Sequence, residues 1–445
     1  MFETVRNAFK IKDLRRKIFF TLFALVVVRI GSQLPVPGVD SSVISEWFSS
    51  TESLDFFNQL TGGSFENLSI FALNITPYIT SSIILQLLTI AIPRLEELHK
   101  DGEEGRKKIT EYTRYVTIIL SVMESAAMAI GFGQAGYLTD GVSFQSIAVV
   151  IVSLTAGSAF LMWLGEQITE YGVGNGISII LLYNIVSRMP SDFSSLYEKY
   201  VKGASNSTNA LLGALIILAI VVGMVVFIIY LSDGERRINV QYSKKTQRRK
   251  LVGGPSSHIP LKINTAGVIP VIFAGSLFSM PIVIAKFAGV EPASGEGATL
   301  LQKCLKVLNQ NAWCNTDSFG EFKYTLGLVI YIALIIFFAY FYTSITFNPQ
   351  EVAMNMKKQG GFIPGIRPGK PTTEYLMNVL NSIILIGAIG LSFTAFVPIF
   401  FSGVFGADVS FGGTSLIIIV GVVLETLKQI ESQMLIRHYK GFISE

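Results

Sequence analysis

Charge is scarce in this 445-residue chain: Asp, Glu, Lys and Arg make up 15% of it, against roughly 25% in soluble domains. Half of the residues are hydrophobic and the mean hydropathy is +0.52, which excludes a soluble fold. Histidine occurs three times, at His99, His258 and His438. Each is isolated, with no second His or Cys at ligand spacing, so no metal site is expected. The two cysteines, Cys304 and Cys314, fall in one connecting segment, 286–323. A disulfide between them and two free thiols both stay open. A phosphate-binding loop is missing as well: Gly172-Val-Gly174-Asn-Gly176 has neither GxGxxG spacing nor a Lys-Ser/Thr partner and reads as a tight turn. No catalytic constellation can be assembled, so the expectation is a protein that is not an enzyme and carries no cofactor.

Long apolar runs are what the chain has in abundance. A membrane span needs about 20 mostly apolar residues, and runs free of charge cover 68–92, 145–165, 209–232, 263–285, 324–347 and 378–407. Four further stretches carry one or two charges or are shorter: 18–34 with Arg29, 112–133 with Glu124, 173–187, and 412–430 with Glu425 and Lys428. Ten spans are therefore predicted, in an all-α integral membrane protein. Because a charge at mid-bilayer is expensive, many buried ionisable residues would have pointed to an ion-coupled carrier. Arg29, Glu124 and Glu425 are few, and a structural role is expected of each.

The basic residues are unevenly placed. Lys and Arg number six in 1–17, five in 93–111, eight in 232–265, four in 348–374 and three from 428 onward, 26 of the 35 in all. With ten spans these segments share one side, and the positive-inside rule makes it the cytoplasm. Both termini are then cytoplasmic and 286–323 is external. The first apolar stretch follows a long basic leader and lacks a small-residue cleavage pattern, so it is expected to stay as the first span. Five spans per half put residues 1–190 and 208–430 in opposite orientations, the inverted-repeat arrangement of many transport proteins. A faint echo agrees: Asn74-Ile-Thr-Pro77 opens the second span of one half and Asn264-Thr-Ala-Gly-Val-Ile-Pro270 that of the other. On these features alone an inverted-repeat solute transporter is the natural reading.

Two local patterns bear on the centre of the molecule. Leu54 to Leu73 is half-apolar and broken at Gly62-Gly63. It fits a re-entrant piece folded among the spans or an interfacial helix on the outer leaflet. Ile75 and Ile79, and likewise Ile177 and Leu181, are aliphatic pairs at i,i+4, each on one helix face. By spacing alone they are ordinary core or lipid contacts.

Long stretches of the chain resemble one family. They include RIGSQLPVPGVD (29–40), SIFALNITPYITSSIILQLL (69–88), GRKKITEYTRY (105–115), FLMWLGEQITEYGVGNGISII (160–180), TAGVIPVIFA (265–274), FYTSITFNPQEVAMNMKKQGGFIPGIRPGKPTTEY (341–375) and FGGTSL (411–416). In this order they resemble the SecY family, channel subunits of the bacterial protein translocase. The resemblance implies two five-helix halves around a central pore, with 191–207 as an external hinge loop and 431–445 as a cytoplasmic tail. Its constriction would be an aliphatic ring of Ile75, Ile79, Ile177, Leu181, Ile272 and Ile418. The plug outside that ring would be about 56–70, with Phe56, Phe57, Leu60, Gly62, Gly63, Phe65, Leu68 and Ile70. Thr80, Gln86 and Asn264 would face a lateral gate through which transmembrane segments pass into lipid.

A narrow apolar collar excludes ions by dewetting and has no fixed polar ligand to select one side chain, which suits a non-selective polypeptide pore. The resemblance also implies partners: SecE-type and SecG-type membrane subunits, the SecA motor ATPase, the ribosome, signal peptides and nascent polypeptides, and membrane lipids. Arg236, Arg237 and Arg367 occupy the positions that would dock the motor or ribosomal RNA phosphates. The expected location is the bacterial plasma membrane. Positive-inside topology alone would also place basic residues there.

Overall fold

The computed structural model describes residues 2–39, 61–134, 136–139, 141, 143–197, 207–242, 245–247, 250–252, 257–287, 290, 299–314, 322–405 and 413–441. Every one of the ten apolar stretches carries a helix. In the first half these are α2 (Lys12–Gly31), preceded by the short α1 (Phe2–Lys10), then α3 (Thr76–Ala91), α5 (Gly102–Gln134), α6 (Phe144–Tyr171) and α7 (Gly176–Tyr197), with α4 (Pro93–Lys100) between α3 and α5. The second half holds α8 (Ser207–Asp233), α9 (Ile269–Phe287), α11 (Leu326–Thr346), α13 (Lys370–Phe405) and α14 (Gly413–Gly441), with α10 (Leu300–Leu308) and α12 (Pro349–Lys358) in the connections. Among the described residues, four helical stretches are each long and apolar enough to cross a bilayer: 102–134, 144–171, 326–358 and 370–401. The α3–α4 pair, bent by 104° at Ile92, makes a fifth if counted as one broken span. Pro93 explains that bend, since the residue before a proline is pushed out of helical geometry.

The second predicted span begins later than its apolar run. Residues 62–75 form turns, and α3 starts only at Thr76, with Pro77 at its head. Leu68 (φ 36°) and Asn74 (φ 53°) adopt left-handed backbone that no helix accommodates. Asn74 tolerates it because its Oδ1 accepts a hydrogen bond from the Ile75 N–H (2.8 Å). From Gly62 onward the 54–73 segment is therefore turns, and it is not laid on the surface. Phe65 and Leu68 are buried among Met128, Ala129 and Phe132 of α5 and Leu154 of α6.

The basic connections hold strands, which the all-α expectation did not include. Strand β1 (Glu235–Tyr242) pairs antiparallel with β4 (Ser257–Lys262) and with β5 (Gly361–Phe362), in the order β4-β1-β5. A separate hairpin joins β2 (Lys245–Gln247) to β3 (Lys250–Val252). Alternation decides it: Ile238 and Val240 are buried while Arg237, Asn239 and Gln241 are exposed, a period of two that only a strand turns to one face. The apolar face rests on Ala353, Met356, Leu376 and Val379 of α12 and α13. One small sheet thus ties the 232–265 connection to the 348–374 connection.

Packing is strongest within each half, α5 with α3 and α6 in the first, α11 with α9 and α13 in the second. Between halves, α7 packs on α14, α5 on α9 and α1 on α14. Lys428 of α14 also reaches Asp233 at the end of α8 (2.6 Å). In the 286–323 connection both cysteines are free thiols, Cys304 exposed and Cys314 buried. Burial pushes the Cys314 thiol above its ordinary pKa.

Candidate functional site

A cavity of about 540 Å³ lies where the two halves meet. Its walls come from both: Tyr78, Ile79, Ser82 and Gln86 of α3, Arg114 of α5, Glu166, Thr169 and Glu170 of α6, then Ile272 and Phe273 of α9, Tyr342 of α11 and Ile418 of α14. Arg114 donates to Glu166 (Nε to Oε1, 2.8 Å), fixing α5 to α6 at the rim. The pair is half exposed, so it orients the wall more than it stabilises the fold.

Aliphatic side chains make up part of the cavity wall. Ile79, Ile177, Leu181, Ile272 and Ile418 line it, and Ile75 joins them in one continuous apolar cluster. These six come from four chain segments that the sequence places far apart. Ile75 (1% exposed) and Ile418 (2%) are fully enclosed, whereas Ile79 and Ile177 are partly buried.

Local geometry sets the positions of Ile177 and Leu181. Gly174 takes a left-handed φ of 77°, the Asn175 Oδ1 accepts from the N–H groups of Ile177 and Ser178, and the Thr169 Oγ1 accepts from Gly176 N–H (2.8 Å). The Gly172–Gly176 run is thus a tight turn with a capped helix start. Gly165 leaves room for Ile177, whose Cδ1 would lie 2.5 Å from an added Cβ. The helix start itself brings the two side chains to one face.

Beyond the aliphatic cluster, away from the cavity, lies the turn-rich segment. Ile70 packs against the cluster and Phe71 is part of it. Gly62 abuts α7 so closely that an added Cβ would stand 2.9 Å from the Asn184 carbonyl oxygen. Gly63 has open space around it, but its φ of 83° favours glycine. Along α7, Ile177 and Leu181 face the cavity, while Asn184 lies beside Gly62 and Arg188 beside Glu66. The order on this helix is cavity, apolar cluster, turn segment. Phe56, Phe57 and Leu60 lie outside the described residues.

The three polar residues assigned to a gate do not share one surface. Gln86 lines the cavity, its Nε2 on Ser82 Oγ (3.4 Å) and its Oε1 buried with no partner among the described residues. Thr80 donates back to the Thr76 carbonyl within α3 (3.1 Å). Asn264 sits in a separate crevice against Ala339 and Thr343 of α11 and Gly387 of α13, and its buried Oδ1 is likewise unpartnered.

Arg236 and Arg237 are exposed on β1, with Arg237 paired to Glu235 two residues away (2.6 Å). Arg367 is exposed on the turn that follows β5, between Gly365 (φ 82°) and Gly369 (φ 110°), and its carbonyl accepts from Thr372 Oγ1 (2.8 Å). The β1–β5 pairing brings these two basic loops together, a proximity the sequence reading did not foresee. Period-two alternation in ERRINVQY was the signal that could have shown it.

Residues 69–427 match the SecY family model. The chain is 43% identical to the protein translocase subunit SecY of Halalkalibacterium halodurans over 100% of both chains. With the corresponding subunit of Bacillus subtilis it shares 42% identity, again over 100% of each. Among solved structures it is similar to a protein-conducting channel, with a TM-score of 0.61 at 18% identity covering 94% of this chain and 92% of the other. It is also similar to Sec61 from the canine ribosome-channel complex, with a TM-score of 0.59 at 18% identity and the same coverage. These structural likenesses bear on the fold.

Proposed function

Because the chain belongs to the SecY family, a multi-pass family of protein translocase subunits, we propose that it conducts unfolded polypeptide along the axis of its central cavity, through the aliphatic cluster, with the turn-rich segment as closure. The observation that carries this reading is the convergence of Ile75, Ile79, Ile177, Leu181, Ile272 and Ile418, from both halves, in one apolar cluster, all but Ile75 lining one cavity. A collar of that chemistry is dry when closed and indifferent to the side chains that pass. A solute carrier would need a polar substrate site at this level, and none of the relatives named above is one.

The finer assignments follow from the same reading. Segment 56–70 is the plug, and the seam between α3 and α5 on one side and α9 and α11 on the other is the lateral gate, with Thr80, Gln86 and Asn264 near it. The sheet and the Arg367 turn face the cytoplasm in a bacterial plasma membrane, with both termini on that side. Arg236, Arg237 and Arg367 there receive a motor ATPase of SecA type or ribosomal RNA phosphates. The Sec61 neighbour comes from a complex with the ribosome, which supports that docking role. SecE-type and SecG-type helices complete the assembly from the lipid side, and signal peptides and nascent chains are the cargo.

Crosslinking tests the path. A secretory chain stalled in transit through membranes containing Ile79→Cys or Leu181→Cys should form adducts at both positions and none at Leu218→Cys, which is exposed on α8. Equal labelling at all three, or adducts at Leu218→Cys alone, overturns the path.

A further inference from the structure

The closing segment touches α7 at two matched points. Gly62 meets Asn184, and four residues further along each partner Glu66 meets Arg188, Oε2 to Nη2 at 3.8 Å. Two contacts, at Gly62 and at Glu66, thus join the segment to α7. Elsewhere Phe65 and Leu68 are buried in the apolar cluster of α5 and α6, and the backbone joins the stretch after α2, where Val36 N–H donates to the Leu68 carbonyl (3.0 Å) and Ile70 N–H to the Leu34 carbonyl (2.9 Å). Those backbone bonds secure residues 68–70 to the chain that follows α2 and not to α7, and the burial is non-directional.

The carboxylate–guanidinium pair adds a directional contact to α7 itself. Glu66 and Arg188 are partly enclosed, with side chains 32% and 20% exposed, so their attraction is screened less than at an open surface. At 3.8 Å the pair is longer than the 2.7–2.9 Å of a tight charge-assisted hydrogen bond, a contact that holds yet can part. The adjoining residue of α7, Ser187, is engaged by Arg29 of α2 (Nη1 to Oγ, 3.4 Å). A second guanidinium therefore stands at the same level and adds to the potential that a carboxylate on the segment experiences.

Position along α7 gives the pair its consequence. Arg188 is seven residues beyond Leu181, about 10 Å along a helix, on the far side of the apolar cluster from the cavity. Resting on the channel reading above, we infer that Glu66 and Arg188 are positioning residues of transport: an ion-pair latch that fixes segment 61–70 against α7 in the closed channel and parts when the segment leaves. Their separation in the chain hides the pairing from any sequence pattern.

The test uses the full-length chain in lipid nanodiscs and in planar bilayers, with Glu66→Arg, Arg188→Glu, the double exchange of both, and Arg188→Lys. Amide hydrogen exchange over 61–70 reads the latch directly, and ion conductance reads its effect on closure. Leu181→Ser, which places a hydroxyl in the collar, reports on the channel reading alone. Each single reversal should speed exchange of these amides roughly tenfold and raise the frequency of conducting events by a similar factor, a typical size for the coupling of one charged contact. The double exchange should restore both, and Arg188→Lys should stay close to the parent. Unchanged exchange in the single variants, or a double variant no better than the worse single one, overturns the latch. If exchange responds while conductance does not, although Leu181→Ser leaks, the pair anchors the segment without gating and the inference fails there. If Leu181→Ser does not leak either, the channel reading fails, and the exchange result still decides whether the pair holds the segment.

Discussion

The segments that lead into α3 and α9 occupy corresponding places, each connecting the first long helix of its half to the second, yet they fold in opposite ways. In the first half, residues 61–75 turn inward and disappear among α5, α6 and α7. In the second, the strands at 235–242 and 257–262 pair in the basic sheet. Both finish on a glycine of a helix in their own half: the Ile70 carbonyl lies against Gly157 of α6, and the Ile263 carbonyl against Gly387 of α13. Both then reach a buried asparagine just before the helix. Asn74 satisfies the Ile75 N–H, while the Asn264 side-chain oxygen has no partner among the described residues. Composition explains the divergence, because SFENLSIFAL offers apolar side chains in every direction to a surrounding core, whereas ERRINVQY offers them on alternate positions to one face. The inner segment is thus built into the core, and the outer one is built to be met.

The comparison breaks most visibly at the two glycines. Gly157→Val and Gly387→Val each force a side chain into a backbone carbonyl, and each should cost about 3 kcal/mol or more, at the upper end of overpacking penalties, seen as an early thermal transition in detergent. If Gly387→Val proves harmless while Gly157→Val does not, the end of the outer segment is not docked as the inner one is.

The asparagines should differ. Asn74→Ala strands a buried N–H and leaves a left-handed backbone without its side-chain support, at a cost of about 1–3 kcal/mol. Asn264→Ala removes an oxygen that is already unpartnered and should change stability by no more than about 0.5 kcal/mol. Equal losses would mean that the crevice around Asn264 holds a water which satisfies it.

The smallest effect on stability belongs to the outer loops, where the largest effect on transport is expected. Arg367→Glu alters an exposed side chain on a turn fixed by its glycines and by the Thr372 bond, so unfolding should shift by less than about 0.5 kcal/mol. Motor-driven transport into proteoliposomes at equal channel abundance should nevertheless fall, and Arg367→Lys should recover it only in part, because an ammonium cannot make bidentate contacts. Transport at the parental level by the Glu variant would reduce Arg367 to a topology signal.

Much of the architecture was legible because the bilayer imposes a simple code. Each of the ten apolar stretches carries a helix, and the glycine run at 172–176 is the turn that its residues demanded. Ile75, Ile79, Ile177 and Leu181 were visible as i,i+4 pairs, but spacing could not tell a collar from lipid contact, and it was the resemblance that selected them. The late start of α3 was not legible. An apolar run carries no mark of where helix gives way to buried turns, and only surrounding protein makes such turns tolerable at depth.

By itself, then, the sequence determined that this is a membrane protein of many helices, since hydrophobic length acts locally and needs no partner. Tertiary structure decided which of many similar aliphatic side chains meet in one cluster beside the cavity. It also decided that two basic loops join in one sheet, that Asn264 lies apart from Gln86, and that Glu66 reaches Arg188. Those outcomes depend on contacts between segments distant in the chain, which take their places only when the helices pack and exclude lipid and water together.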